Sequence, residues 1–324
     1  MRGFSDMPDK TDYDLIILGA GPAWMTAGVY AARKQMDVLI ISEDVGGQAM
    51  WSAGIENYLG FIFISGPELV RKFEEHVSTF SIPQQFTKTT RLTRQGETFR
   101  VDTADGRAFT ARAVVVATGK SPKLLGAPGE KEFTGRGVTY CATCDAPLFS
   151  GQNVAVVGGG NSGLDAAVQL MKICLKVYVI ERGPELRADA IMIEQVKAAD
   201  NVEILTGTEV SKITGDAFVS AITVGGVDGG EPRQLEVQGV FVEVGLTPNT
   251  DFAKEVLRLN PLGEIPVDCA ARTGVPGLYA AGDVTDVPEK QIIIAAVDGA
   301  KAALGAYSYL VRRPSVDDWG PRAK

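Results

Sequence analysis

The chain predicts an α/β fold made of two copies of one βαβ plan, and three observations carry that expectation. A strand, a glycine-rich turn, a helix, a second strand and an acidic residue occur in that order twice. Each copy is followed by short strands with turn signals and closes on an apolar strand ending in glycine. At 324 residues the chain also exceeds what one hydrophobic core usually supports.

In the first copy Asp12–Leu18 forms an apolar strand pattern running into Gly19-Ala20-Gly21-Pro22-Ala23-Trp24. A helical stretch reaches Lys34, followed by a strand Val38–Ile41 and then Glu43. In the second copy Val154–Val157 runs into Gly158-Gly159-Gly160-Asn161-Ser162-Gly163. A helix from Leu164 to about Ile173, a strand Val177–Ile180 and Glu181 complete it. Turn signals follow at Gln95-Gly96 and Asp105-Gly106, and at Gly215-Asp216 and Gly229-Gly230. The closing strands are Ala113–Gly119 and Val240–Gly245. One GxGxxG is weak evidence, but two in matching contexts, about 139 residues apart, point to two dinucleotide sites.

Each glycine has a physical task. The first two let the turn close and let backbone N–H groups approach a pyrophosphate at a helix N-terminus, where the helix dipole favours negative charge. The third lets helix and strand pack closely. Gly158, Gly160 and Gly163 supply all three; the first copy has Gly19 and Gly21 but Trp24 at the third place, which should push the helix outward or force an unusual rotamer. The plain alternative for either turn is a tight βα connection with no ligand.

A further strand, Leu278–Ala281, leads to Gly282-Asp283, with a helix from about Lys290 to Leu310. An aspartate there can accept hydrogen bonds from ribityl hydroxyls, and the helix start can favour an anionic reduced flavin; the alternative is a strand end with an N-cap. Just before the second copy stands Gly137-Val138-Thr139-Tyr140-Cys141-Ala142-Thr143-Cys144-Asp145. Two intervening residues let both sulfurs meet in one turn, and such pairs have depressed thiolate pKa values. Half a zinc site is the competing reading, but no second CxxC or histidine pair exists, so no metal is expected. Asp145 is the acid/base candidate; its competing role is to cap the next turn.

Composition narrows the rest. A net charge of −8 argues against a nucleic-acid surface, and no apolar run is long enough to span a bilayer. The polar segment Met1–Thr11 reads as a loose tail without a signal-peptide core, which makes the cytoplasm the expected compartment. The single histidine, His76, falls in a helical pattern over Gly66–Phe80 and is expected to be half-buried rather than catalytic. Cys174 and Cys269, each in apolar sequence, are expected to be buried core thiols.

With these motifs in place, the stretch from Tyr13 to Leu310 resembles the low-molecular-weight thioredoxin reductases and is similar to the reductase portion of the alkyl hydroperoxide reductase flavoprotein. The carrying motifs are Gly19–Ala23, Gly46-Gly47-Gln48, Ala117-Thr118-Gly119, Cys141–Asp145, Gly158–Gly163 and Gly282-Asp283. The resemblance implies two Rossmann-like domains of three-layer ββα type, the class II architecture of pyridine nucleotide-disulfide oxidoreductases. It implies an FAD-binding domain from residues 1–116 and 245–324, a nicotinamide-binding domain at 117–244 carrying the CxxC, and a homodimer. For FAD the implied residues are Gly19, Gly21, Pro22, Ala23, Glu43, Gly46, Gly47, Gln48, Asn57, Thr118, Gly119, Gly282, Asp283, Lys290, Gln291 and Ile292. Those for the nicotinamide cofactor are Gly158, Gly160, Asn161, Ser162, Gly163, Glu181, Arg182 and Arg187. By motif position, Cys144 would sit against the flavin, Cys141 would attack the partner's disulfide and Asp145 would donate the proton.

Asn161-Ser162-Gly163, Pro147-Leu148-Phe149 and Lys290-Gln291-Ile292 lean toward the alkyl hydroperoxide reductase relative. The thioredoxin-like domains of that protein are absent from this sequence, so a separate thioredoxin- or glutaredoxin-like protein is expected to take the electrons. NADPH-dependent relatives follow the second strand with a histidine and paired arginines; here stand Glu181, Arg182 and Gly183, with Arg187 beyond. Glu181 can accept from the ribose 2′-OH of NADH and would repel a 2′-phosphate. Two unit charges ~4 Å apart interact by ~4 kcal/mol at an effective dielectric near ~20, which solvent and Arg182 reduce to a preference of roughly tenfold to hundredfold for NADH. Arg182 and Arg187 keep NADPH possible. The expected activity is an NAD(P)H-dependent thioredoxin-disulfide reductase. Its rivals are a dithiol oxidase, a ferredoxin-dependent disulfide reductase, and a redox-silent nucleotide-binding protein, for which Trp24 is the only encouragement.

Overall fold

The computed structural model describes residues 10–312 apart from 53 and 230. Positions 1–9 of the expected tail, and Gly230 of its glycine pair, lie outside them. The chain forms two compact units: Met1–Met50, Pro67–Ser121 and Thr247–Lys324 make one, and Trp51–Gly66 with Pro122–Leu246 make the other.

In the first unit Asp12–Leu18 lies between Val38–Ser42 and Ala108–Val116, parallel to both, with Gln84–Phe86 parallel on the outer edge. The two halves of Ala108–Val116 have different partners. Phe99 in Thr98–Thr103 pairs antiparallel with Ala111, while Leu278 in Leu278–Ala280 pairs parallel with Val114. Thr89–Gln95 extends the antiparallel part.

The Asp12–Leu18 strand reads as a continuous apolar run because both its faces are buried. Leu15 and Ile17 join one core cluster with Trp24, Ala27 and Ala302 of the helices; Ile16 and Leu18 join another with Leu92, Phe99 and Val101 of the antiparallel strands. The helix Pro22–Arg33 begins on a proline, whose missing N–H is harmless in the first turn. The last helix, Ile292–Arg312, comes so close that a Cβ on Gly299 would stand 2.0 Å from Ala23 O.

Trp24 does not distort its turn. Gly21 has φ −93° and ψ −171°, against −88° and −175° for Gly160, and Gly19 and Gly158 have φ of 142° and 128°. The side chain is instead absorbed into the core at 1% exposure. The cost appears elsewhere: among the described residues its indole N–H has no hydrogen-bond partner, a penalty of ~1–3 kcal/mol.

The second unit repeats the layers. Its five-stranded sheet runs Val202–Leu205, Lys176–Ile180, Asn153–Val157, Gly239–Val242, Val138–Thr139, and every pairing is parallel. On one face Val154, Val156, Val177 and Phe241 pack against Leu164 and Ala167 of the helix Asn161–Leu170, which begins three residues earlier than its apolar pattern suggests. On the other, Ala155, Val157 and Val240 meet Ile213, Ile222 and Leu235 of an antiparallel three-stranded meander. Each unit is therefore a three-layer ββα sandwich, the α/β architecture expected of two Rossmann-like domains. No helix among the described residues is long and apolar enough to cross a membrane.

Two further expectations are corrected. His76 is exposed rather than half-buried, its ring resting 5.9 Å from that of Phe80, because it lies on the outer face of the helix Gly66–Ser78. Cys269 is exposed, since it sits in a turn closed by the Asp268 carboxylate on the Ala270 and Arg272 N–H groups. Cys174 is buried as expected, and burial pushes its thiol up to about 11.

Candidate active site

The short strand Val138–Thr139 delivers the chain to a one-turn helix, Ala142–Asp145, capped by Cys141. Cys141 and Cys144 are joined by a disulfide with Cα atoms 5.3 Å apart, inside the normal bridging range. The Cys144 N–H donates to Cys141 Sγ at 3.2 Å. Both cysteines are half-buried.

Asp145 is buried behind the bridge at 4% exposure. It makes no side-chain cap to the following turn, so the competing role for it falls away. Ser52 Oγ donates to its Oδ1 at 3.0 Å, and Thr139 Oγ1 donates to its Oδ2. Burial raises its pKa, and these two hydrogen bonds pull the other way. The outcome is a carboxyl poised more readily to hold a proton than a surface aspartate. Among the described residues, no group of three or more His, Cys, Asp or Glu is placed to hold a metal ion.

In the same unit Gly160 caps the helix Asn161–Leu170 without any side-chain hydrogen bond, leaving the first N–H groups open. A Cβ on Gly160 would meet nothing within 4 Å, whereas one on Gly158 would stand 2.4 Å from Glu243 O and one on Gly163 1.9 Å from Gly158 O. The turn is thus closed beneath and open above, a cradle that fits a pyrophosphate. Asn161 Oδ1 accepts the Asp189 N–H at 2.8 Å, and Ser162 is exposed.

Glu181 is buried at 3% exposure, and its carboxylate accepts the N–H groups of Gly159 at 2.7 Å and Gly183 at 2.6 Å. It thus also braces the glycine turn, a task its position in the sequence does not reveal. Arg187 reaches it at 3.3 Å, while Arg182 turns to Glu209 at 3.4 Å and stays 80% exposed.

The first unit holds the other set. Gly21 caps the helix Pro22–Arg33 with no side-chain hydrogen bond, and a Cβ there would meet nothing within 4 Å, so Pro22 and Ala23 begin a second open cradle. Gly46 and Gly47, both at positive φ, fold over it, Gly46 N–H donating to Ala20 O at 2.7 Å. Gln48 donates to Lys120 O at 2.8 Å, and Thr118 Oγ1 to Asn249 O at 2.7 Å, with Gly119 at φ 62°. Glu43 is exposed, 4.0 Å from Lys88. Asp283, after Gly282, has its pKa raised by burial, with Lys290 and Lys120 opposing.

Lys290 donates to Thr285 O at 2.5 Å and lies 3.5 Å from Glu264, just before Gln291 and the helix start at Ile292. Glu264 also binds Lys120 at 2.6 Å, both nearly buried, a pair of charges that the motifs did not disclose. Asn57 is the one flavin candidate outside this unit, falling in Trp51–Gly66 of the other.

A profile described as pyridine nucleotide-disulphide oxidoreductase matches residues 13–302. The chain is 40% identical over 308 residues to an "NADH dehydrogenase" of Bacillus subtilis, covering 95% of this chain and 60% of that protein. It is 39% identical over 316 residues to an alkyl hydroperoxide reductase subunit of Pseudomonas aeruginosa, covering 96% and 61%. The chain thus spans about three fifths of these curated relatives. A thioredoxin reductase from Streptococcus pyogenes superposes with a TM-score of 0.88 at 38% identity, over 93% of this chain and 99% of that one. One from Giardia duodenalis gives 0.85 at 30% identity, with the same coverage. Since the match runs through both glycine turns and the cysteine pair alike, the chain belongs to the pyridine nucleotide-disulphide oxidoreductase family.

Proposed function

We propose that the chain is a thioredoxin-reductase-like flavoprotein that moves electrons from NADH, by way of FAD, to the Cys141–Cys144 disulfide and on to a thioredoxin- or glutaredoxin-like protein. One observation carries this reading: a half-buried disulfide and an uncapped glycine cradle stand at the carboxyl ends of one parallel sheet, where such sheets bind ligands. When bound, FAD supplies a two-electron carrier between a hydride donor and a disulfide.

The protein's own residues do the rest. Gly19, Gly21, Gly46 and Gly47 shape the flavin's pyrophosphate cradle, and Glu43 and Asp283 offer carboxylates for ribose and ribityl hydroxyls. Gly158, Gly160 and Gly163 shape the nicotinamide's cradle. Cys144 takes the flavin-facing place, Cys141 attacks the partner's disulfide, and buried Asp145 supplies the proton to the leaving thiolate. We place the protein in the cytoplasm as a homodimer.

The donor preference rests on Glu181. Its carboxylate, fixed by two backbone N–H groups, stands beside the turn where an adenosine ribose would lie. Arg187 partly offsets it, while Arg182 is engaged with Glu209. Anaerobic titration of the purified protein with each nucleotide, followed by flavin absorbance, tests this. NADH is expected to bleach the flavin at roughly tenfold to hundredfold lower concentration than NADPH. A preference for NADPH would show that Arg182 and Arg187 prevail. Bleaching by neither would favour a ferredoxin-dependent reductase or a dithiol oxidase.

A further inference from the structure

Within the second unit, the segment Trp51–Gly66 brings the hydroxyl of Ser52 to the cysteine helix. That segment is stapled on itself, Ile55 N–H donating to Ile64 O at 2.8 Å and Ile64 N–H to Ile55 O at 3.1 Å. Its Gly54 is walled in: a Cβ there would stand 2.6 Å from the Phe63 ring and 3.1 Å from Leu148. Ser52 Oγ therefore faces two acceptors held in place, Asp145 Oδ1 at 3.0 Å and Gly54 O at 3.2 Å. A hydroxyl carries one hydrogen and two lone pairs, so it donates to one acceptor at a time and rotates to suit.

Thr139 has no such choice. Its Oγ1 accepts the Cys141 N–H at 3.3 Å, and among the described residues its own hydrogen goes to Asp145 Oδ2. Oδ2 is thus the carboxyl oxygen that accepts throughout, and Oδ1 the one that can carry the proton. We propose that Ser52 is a positioning residue for the proton of Asp145. Its hydroxyl donates to Oδ1 while the carboxyl is ionised; once the carboxyl is protonated, it turns to Gly54 O and accepts the hydrogen on Oδ1. The proposal rests on the reading of Asp145 as the acid of the cysteine pair.

The turn matters because this acid has to work in both forms. The reduced pair meets a partner disulfide with Cys141 as thiolate, its proton having left to solvent. Cys141 Sγ bonds to one partner sulfur as the partner's S–S bond breaks, and the other sulfur leaves as a thiolate that takes the proton of Asp145. Cys144 then gives its own proton to Asp145, bonds to Cys141 Sγ and releases the first partner sulfur, which takes a proton from solvent. Two electrons and two protons reach the partner, and Asp145 ends protonated as it began. Ser52 and Thr139 are buried with it, at 8% and 6% exposure, so a missing hydrogen bond in either form costs the desolvation of that group. The charged side chains on the elements packed around Asp145 are Glu56 and Asp165, both exposed, and half-buried Glu243; its hydrogen bonds go to the two hydroxyls instead.

An infrared titration of the full oxidised protein follows the Asp145 carboxyl, whose band is the one that Asp145→Asn removes. Ser52→Ala should displace this titration upward by about one pH unit, because the ion loses a charge-assisted hydrogen bond and the acid only a neutral one. Ser52→Thr keeps the hydroxyl and should titrate within a few tenths of a unit of the wild type. The second measurement needs no variant. Neutron diffraction from wild-type crystals exchanged into heavy water, on either side of that titration, locates the deuteron of Ser52. It should point at Gly54 O on the acid side, with a second deuteron on Asp145 Oδ1, and at Asp145 on the alkaline side.

A Ser52 deuteron on the same acceptor at both pH values would overturn the proposal, as would a deuteron on Oδ2 on the acid side or an unmoved titration in Ser52→Ala. Undiminished exchange between dithiothreitol-reduced Asp145→Asn and a thioredoxin-like disulfide would bring it down another way, by removing the acid reading beneath it. That rate is measured separately from the deuteron positions, so the two failures are told apart.

Discussion

Cys141→Ser is expected to abolish reduction of a thioredoxin-like partner, by about a thousandfold or more, while NADH still bleaches the flavin. Exchange needs a sulfur nucleophile, and a serine hydroxyl cannot form a mixed disulfide. Nothing in the first unit's cradle depends on Cys141, so the earlier electron transfer should survive. Cys144→Ser should behave differently: with Cys141 intact and no neighbour to resolve it, the partner should be trapped as a mixed disulfide visible on a non-reducing gel. Partner turnover persisting in Cys141→Ser would remove that residue from the attacking role.

Gly158→Ala is expected to cost the second unit about 3–5 kcal/mol, joining two penalties. Its φ of +128° is one that side chains rarely adopt, and its Cβ would stand 2.4 Å from Glu243 O, a backbone atom that cannot swing aside. Relief requires separating Asn153–Val157 from Gly239–Val242, which pair in register through Val157 and Val242. The variant should remain yellow, because the flavin cradle belongs to the other unit, yet lose nicotinamide-dependent bleaching. A variant that keeps both its melting temperature and its NADH response would show that the turn is less constrained than described.

Much of the fold is legible in the sequence because backbone demands leave strong marks. Gly19 and Gly158 must adopt positive φ under a crossing carbonyl, so their turns can be read without knowing what lies above them. The CxxC is equally local, since three residues of chain suffice to bring its sulfurs together. Long-range burial is not legible. Ser52 and Asp145 are 93 residues apart, and no pattern joins them before the fold does. Glu181 reads in sequence as facing a ribose, but two of its hydrogen bonds go to backbone N–H groups around the glycine turn. Cys269 departs from its expected burial because an apolar neighbourhood in sequence does not guarantee a buried position, and Asp268 turns the chain outward there. Trp24 breaks the glycine pattern of the first turn, yet the core around Leu15 and Ile17 accommodates it.

The most direct test of the electron path from nicotinamide to disulfide is a count of electrons and thiols in one anaerobic titration with NADH. About two equivalents of NADH per flavin should be consumed, one for the flavin and one for the disulfide, with two new thiols per chain appearing at Cys141 and Cys144. Full bleaching after a single equivalent, with no new thiol, would contradict that path, because electrons would then reach the flavin and stop there.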